Sequence, residues 1–122
     1  MMDPLVMGAF KIDARGGPEA GPVVLEWRGV CNEREPRQWL DPFLGRAISE
    51  AAGSGEIELH FEELEYGNSS MLASIIDFTQ DALAKGLKLI FVFAPARRWQ
   101  KLSFEALRVF DDGAGRLIFR SA

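Results

Sequence analysis

Leu59-His60-Phe61-Glu62-Glu63-Leu64-Glu65-Tyr66-Gly67-Asn68-Ser69-Ser70-Met71-Leu72 is the stretch on which the reading of this chain turns. Ile57, Leu59 and Phe61 alternate with Glu56, Glu58, His60 and Glu62, the period-2 pattern of a strand with one buried face. From Leu72 the period changes. Leu72, Ile75, Ile76, Phe78, Thr79, Ala82 and Leu83 fall on one broad helical stripe, and Gly86 stands where a helix would stop. The stretch thus predicts a strand over 57–62, a tight turn, and a helix over 70–85. Asn68 or Ser69 can cap the orphan N–H groups of that helix. A hydroxyl here lies at the positive end of the helix dipole, where negative charge is favoured.

Downstream of this unit, residues 87–94 are nearly all apolar, as a central strand buried on both faces would be, and Pro95 ends them. Strand, helix and strand form a βαβ unit, which requires parallel strands and a right-handed crossover. Residues 99–110 read as a third helix, 111–115 as a turn and 117–119 as a last strand. Upstream, Asp41-Pro42 reads as a helix start, with Asp as cap and Pro at the first helical position. A helix that begins earlier and kinks at Pro42 is the other reading. Phe43, Leu44, Ala47, Ile48 and Ala51 follow at helical spacing, and Gly53-Ser54-Gly55 ends the element. Residues 23–30 read as a strand, 15–22 as a Gly- and Pro-rich loop and 7–13 as the first strand. The predicted order is β-β-α-β-α-β-α-β. That is an α/β fold with a mixed sheet, its helices mainly on one side, in a single domain over 1–122 with a core over about 7–120.

Composition narrows the classes of function. At 122 residues, 48% hydrophobic and 26% charged, the chain has the make-up of a soluble globule. A net charge of −4 without a long basic run argues against a general nucleic-acid binder. The single Cys31 excludes an internal disulfide and a Cys-cluster metal site, and the single His60 makes a His-based metal site or triad hard to build. No apolar run has membrane-spanning length and no basic-then-apolar leader opens the chain, so the expectation is a cytoplasmic protein without membrane insertion, cofactor or metal.

The element order and the residues at the turn resemble the STAS domain of bacterial anti-sigma-factor antagonists, over nearly the whole chain from Phe10 to Phe119. Members typically place Asp-Ser-Ser-Gly or Asp-Ser-Thr-Gly at the opening of this helix, and the matching positions here are Asn68-Ser69-Ser70-Met71. A subgroup of STAS-like bacterial regulators has Asn-Ser-Ser at the turn and a Trp-Gln-x-x-Ser segment opening the last helix. Trp99-Gln100-Lys101-Leu102-Ser103 is similar to that segment. The resemblance implies a STAS-like mixed sheet and a non-catalytic regulator that switches partners in signal transduction. It implies as partners a serine kinase acting as anti-sigma factor and a serine phosphatase. The phosphoacceptor by resemblance is Ser69, with Ser70 as second choice, and the partner surface is Tyr66, Gly67, Asn68, Ser69, Ser70, Met71 and Leu72. Asn68 departs from the usual Asp, and Met71 from the Gly that allows a partner's backbone to approach closely. A STAS-like subunit docked permanently on a larger assembly such as a transporter, without phosphorylation, is the alternative.

Other chemistry is poorly supported by the residues. Arg97 and Arg98 follow the parallel strand and emerge at the same sheet edge as Ser69, so they are candidate phosphate contacts. Ser69 with His60 as base lacks the Gly-x-Ser-x-Gly elbow of a hydrolase, and His60 alternates with Glu58 and Glu62 on the polar face. Glu62-Glu63 and Asp111-Asp112 are sequence neighbours, and in a strand neighbours point apart. Trp99 beside Arg97, Arg98 and Lys101 could stack a base, but in an acidic chain it reads better as an aromatic at the core's edge.

Overall fold

The computed structural model describes residues 2–122. Strands β1 (Leu5–Met7), β2 (Phe10–Arg15) and β3 (Val23–Cys31) are followed by α1 (Arg37–Glu50), β4 (Glu56–Gly67) and α2 (Ser69–Ala84). Then come β5 (Lys88–Phe93), α3 (Arg98–Ala106), a 3₁₀ turn over Leu107–Phe110, and β6 (Leu117–Ser121). The six strands lie in the order β1-β2-β3-β4-β5-β6. β1–β2 and β2–β3 pair antiparallel, and every pair from β3 to β6 is parallel. The mixed sheet is therefore the one expected, with one strand more.

The added strand comes from dividing the single strand predicted over 7–13. Met7 pairs with Phe10, so Gly8 and Ala9 form a two-residue hairpin turn. Such turns need a positive φ, and Gly8 supplies 57°. Gly-Ala is a weak hairpin signal, and Leu5-Val6-Met7 is too short to declare itself by alternation.

Asp41 is not the start of α1, which begins four residues earlier and keeps Pro42 inside. Pro42 has no N–H to donate, a loss of about 3 kcal/mol in an ordinary helix interior. The helix persists because Leu40, Leu44, Ala47 and Ile48 are buried along one face across the proline. Asp41 instead ties helices together. One carboxylate oxygen accepts from Arg37 Nε at 3.1 Å and the other from the buried Ser74 hydroxyl of α2 at 2.7 Å. Arg37 also pairs with Asp77 of α2.

One face of the sheet carries the core. Phe10, Trp27, Phe61, Phe91 and Phe119 form an aromatic row, one residue from each strand β2 to β6. Its ring centroids are 5.9 Å apart for Phe10–Trp27, 4.9 Å for Trp27–Phe61, 6.0 Å for Phe61–Phe91 and 5.4 Å for Phe91–Phe119. Phe104 of α3 packs on Phe61 at 4.5 Å. Buried side chains of α1, α2 and α3 join this same cluster, so all three helices cover one face, as right-handed crossovers dictate. The other face is polar: Lys11 pairs with Asp13 at 3.2 Å, Lys88 with Glu56 at 3.8 Å, and His60 contacts Glu58 at 2.7 Å. His60 is thus the half-buried strand histidine expected. Ile90 on this face is still only 3% exposed, since Glu58 and Ile118 flank it on the adjacent strands.

Two smaller corrections concern ends. The helix predicted over 99–110 is α3 followed by the 3₁₀ turn, and the strand predicted over 117–119 continues to Ser121. Among the described residues no helix is long and apolar enough to cross a membrane.

Candidate functional site

The segment between Phe61 and Asn68 is not a tight turn. β4 runs on to Gly67, pairing with β3 throughout, while β5 leaves it after His60. The alternation fails here because β4 holds two extra residues. Glu26 pairs with His60 but Arg28 with Glu63, and Gly29 pairs with Leu64 but Val30 with Tyr66. Each slip is a β-bulge, which inserts a residue and rotates the strand. Buried positions therefore step from Phe61 to Leu64 to Gly67, and Glu62, Glu63, Glu65 and Tyr66 point away.

Beyond His60 the β5 side of β4 lacks a ladder, so its carbonyls need other donors. The start of α3 provides them. Gln100 Nε2 donates to Phe61 O at 2.6 Å and Leu64 O at 2.8 Å, while Gln100 Oε1 accepts from Ala94 N at 2.8 Å. Trp99 Nε1 donates to Glu65 O at 2.8 Å, and Arg97 Nε to Glu62 O at 3.3 Å. The Trp-Gln pair singled out in the sequence thus clamps the bulged end of β4, and Gln100 is fully buried in doing so. Sequence reasoning missed this role. An amide two residues into a helix, between an apolar strand and an apolar helical stripe, was the available signal.

The clamp positions the Ser69 turn. A Cβ on Gly67 would overlap the Met71 thioether and lie 3.5 Å from Trp99 Cη2, so glycine is what lets Met71 fold inward beneath the indole. Tyr66 flanks the same indole, its ring centroid 6.2 Å away. Asn68, not Ser69, is the cap: its Oδ1 accepts from Met71 N at 2.9 Å. Asn68 Nδ2 donates to Glu33 O at 2.8 Å, and its backbone N–H to Cys31 O at 3.0 Å, which fastens the turn to the end of β3. Burial pushes the neighbouring Cys31 thiol up to about 11, so it is inert at neutral pH.

Of the seven residues assigned to the partner surface, Gly67 and Met71 are buried, Asn68, Ser70 and Leu72 are half-buried, and Tyr66 and Ser69 are exposed. Ser69 is the first residue of α2, and among the described residues its hydroxyl makes no hydrogen bond. Arg97 is engaged with β4 at Glu62, and Arg98 is exposed at the first turn of α3. Neither arginine is bonded to Ser69 in this unmodified state. Ser69, Leu72 and Ile76 share one face of α2. Leu72 and Ile76 line an apolar groove of about 290 Å³ closed on the far side by Ala106, Val109 and Phe110.

The capping arrangement makes a stability prediction. Asn68→Ala removes both the cap acceptor and the donor to Glu33 O, and is expected to cost about 1–2 kcal/mol. Asn68→Ser keeps a cap acceptor and places no second oxygen against Glu33 O, so it should lose clearly less. Chemical unfolding of the three proteins measures the order, and a serine variant no more stable than the alanine variant would show that the cap is not what matters.

Neither a protein-family model nor a curated protein matches the sequence. Among solved structures, the chain is similar to a chain in the crystal structure of the diguanylate cyclase SiaD in complex with its activator SiaC from Pseudomonas aeruginosa. The TM-score is 0.65 at 15% identity, over 99% of this chain and 100% of that one. At that identity the likeness is one of fold, and it extends over the whole α/β sheet and its helices.

Proposed function

We propose that this chain is a non-catalytic regulatory interaction domain of the anti-sigma-factor-antagonist type, whose partner binding is switched by phosphorylation at Ser69. The observation that carries the reading is the exposed Ser69 hydroxyl on the first residue of α2, relieved of capping by Asn68 and sharing a helix face with Leu72 and Ile76. The solved chain of similar fold comes from a complex between an enzyme and its activator, which supports a protein that acts by docking on another. The partner is accordingly a signalling enzyme or a serine kinase of the anti-sigma type, with a serine phosphatase resetting the switch.

The physics of the switch is local. A phosphoryl group adds about −1.5 to −2 charge at neutral pH. At a helix N-terminus that charge is stabilised by the macrodipole and the free N–H groups, so the domain keeps its shape. The cost falls on a partner seated beside the turn, which meets a charged, strongly hydrated group where the hydroxyl was. Arg97, which uses only its Nε on Glu62 O, and the exposed Arg98 are the candidate cations for the phosphate.

Phosphopeptide mapping of the protein from its own cells, combined with binding of Ser69→Ala and Ser69→Asp variants to the partner, tests the reading. A phosphate on Ser69, retained binding in Ser69→Ala and at least about tenfold weaker binding in Ser69→Asp are expected. An unmodified Ser69 peptide under several growth conditions, with equal binding by both variants, would instead mark a permanent subunit. A phosphate on Ser70 alone would move the acceptor by one residue.

A further inference from the structure

The last strand leaves a bonding edge open. β6 pairs with β5 alone. Leu89 N–H donates to Arg116 O at 2.7 Å, and Ala122 N–H to Phe93 O at 2.8 Å. Backbone groups of a strand turn to the same side at every second residue, so Arg116, Ile118, Arg120 and Ala122 face β5. Leu117, Phe119 and Ser121 therefore turn their N–H and C=O groups outward, and among the described residues none of these groups is bonded. Edges are usually blunted by shortness, proline or a bulge. β1 at the other edge is blunted, with three residues behind Pro4. β6 has five residues, no proline and an unbroken register with β5.

The side chains of β6 select what pairs there. The aromatic row that crosses the sheet ends at Phe119, which stacks on Phe91 at 5.4 Å and is only half-buried. A further strand would lie about 4.8 Å away, so an aromatic residue opposite Phe119 would continue the row. A second copy of β6 supplies one. Laid antiparallel about Phe119, the two strands set Phe119 opposite Phe119, Leu117 opposite Ser121 and Ile118 opposite Arg120. Every outward group of both copies then has a partner. A slip of one residue sets outward groups against groups already turned to β5, and the ladder is lost. A slip of two leaves Ser121 unpaired in one direction, and in the other sets Arg120 against Arg120, like charge on like. Arg120 thus disfavours a wrong register and tolerates the one centred on Phe119.

We propose that two copies of this chain associate edge to edge through β6, antiparallel and centred on Phe119, joining their sheets into one about a twofold axis. Such a contact is isologous, so it closes as a dimer and leaves no β6 edge open. β5 separates β6 from β4, which leads into the Ser69 turn, so the turn stays clear in both copies. The association stands independently of the phosphorylation switch.

Sedimentation equilibrium and amide hydrogen exchange on the full chain test the proposal. Expected are a species of twice the chain's mass and, in it, slow exchange of the Leu117, Phe119 and Ser121 amides. Ser121→Pro removes an outward N–H and no bond to β5, at an exposed residue, so the fold is kept and the dimer should weaken at least about tenfold. Ile118→Glu and Ile118→Lys both replace the same half-buried side chain and differ in sign against Arg120 of the second copy. The Glu variant should therefore associate about tenfold more tightly than the Lys variant. A monomer up to about 1 mM, fast exchange at the three amides, a dimer unmoved by Ser121→Pro, or equal association of the Glu and Lys variants would overturn the proposal. So would protection of the three amides only when another protein binds, which would give the edge to a partner's strand.

Discussion

Gln100→Leu is expected to destabilise the protein by about 3–5 kcal/mol and lower the thermal midpoint by roughly 10–20 °C. The side chain is fully buried and meets three backbone groups: Phe61 O, Leu64 O and Ala94 N. Leucine fits the volume but leaves these groups unpaired, and a buried polar group without a partner costs about 1–3 kcal/mol. Gln100→Glu should be worse at neutral pH, because its carboxylate faces two carbonyl oxygens and cannot donate to either. Such a carboxyl would titrate above its unfolded value. The folded state would then bind the proton more tightly, so stability should rise as pH falls through the folded pKa. Circular dichroism melts at pH 7 and pH 5 measure both effects. A Gln100→Leu midpoint within about 3 °C of the parent would mean that water replaces the amide, and that the clamp is not what holds the end of β4.

Phe61→Ala is the second large effect, expected at about 3–5 kcal/mol. Phe61 is fully buried at the centre of the aromatic row, its ring centroid 4.9 Å from that of Trp27 and 4.5 Å from that of Phe104. Truncation opens a cavity between the sheet and α3 that rigid neighbours on three sides cannot close. Phe61→Leu should recover more than half of the loss. Because Gln100 bonds the Phe61 carbonyl, the Phe61→Ala/Gln100→Leu double variant should fall short of the sum by about 0.5–3 kcal/mol. Strict additivity in denaturant unfolding would separate the aromatic row from the clamp, contrary to the shared geometry.

Much of this fold was legible because it depends on local periodicity. The alternation of Ile57, Leu59 and Phe61, the stripe of α2 and the apolar run of β5 each report their own environment, and chirality then puts the helices on one face. The resemblance carried by Asn68-Ser69-Ser70 and Trp99-Gln100 pointed to the turn for the same reason, since both signals lie within a few residues.

What local pattern could not carry is whatever depends on a partner far along the chain. The bulges between His60 and Glu63 and between Leu64 and Tyr66 lie where β3 pairs and, past His60, β5 does not, and without β3 the residues 62–67 look like a turn. Asp41 looks like a cap until Arg37 and Ser74 take its oxygens. Met71 looks like part of an exposed turn until Gly67 and Trp99 receive it. Composition determined that this is an acidic chain with a core and without a Cys or His cluster. Only tertiary packing decided that Leu72 and Ile76 of α2 face Ala106, Val109 and Phe110 across one apolar groove, because these residues come from elements separated in sequence.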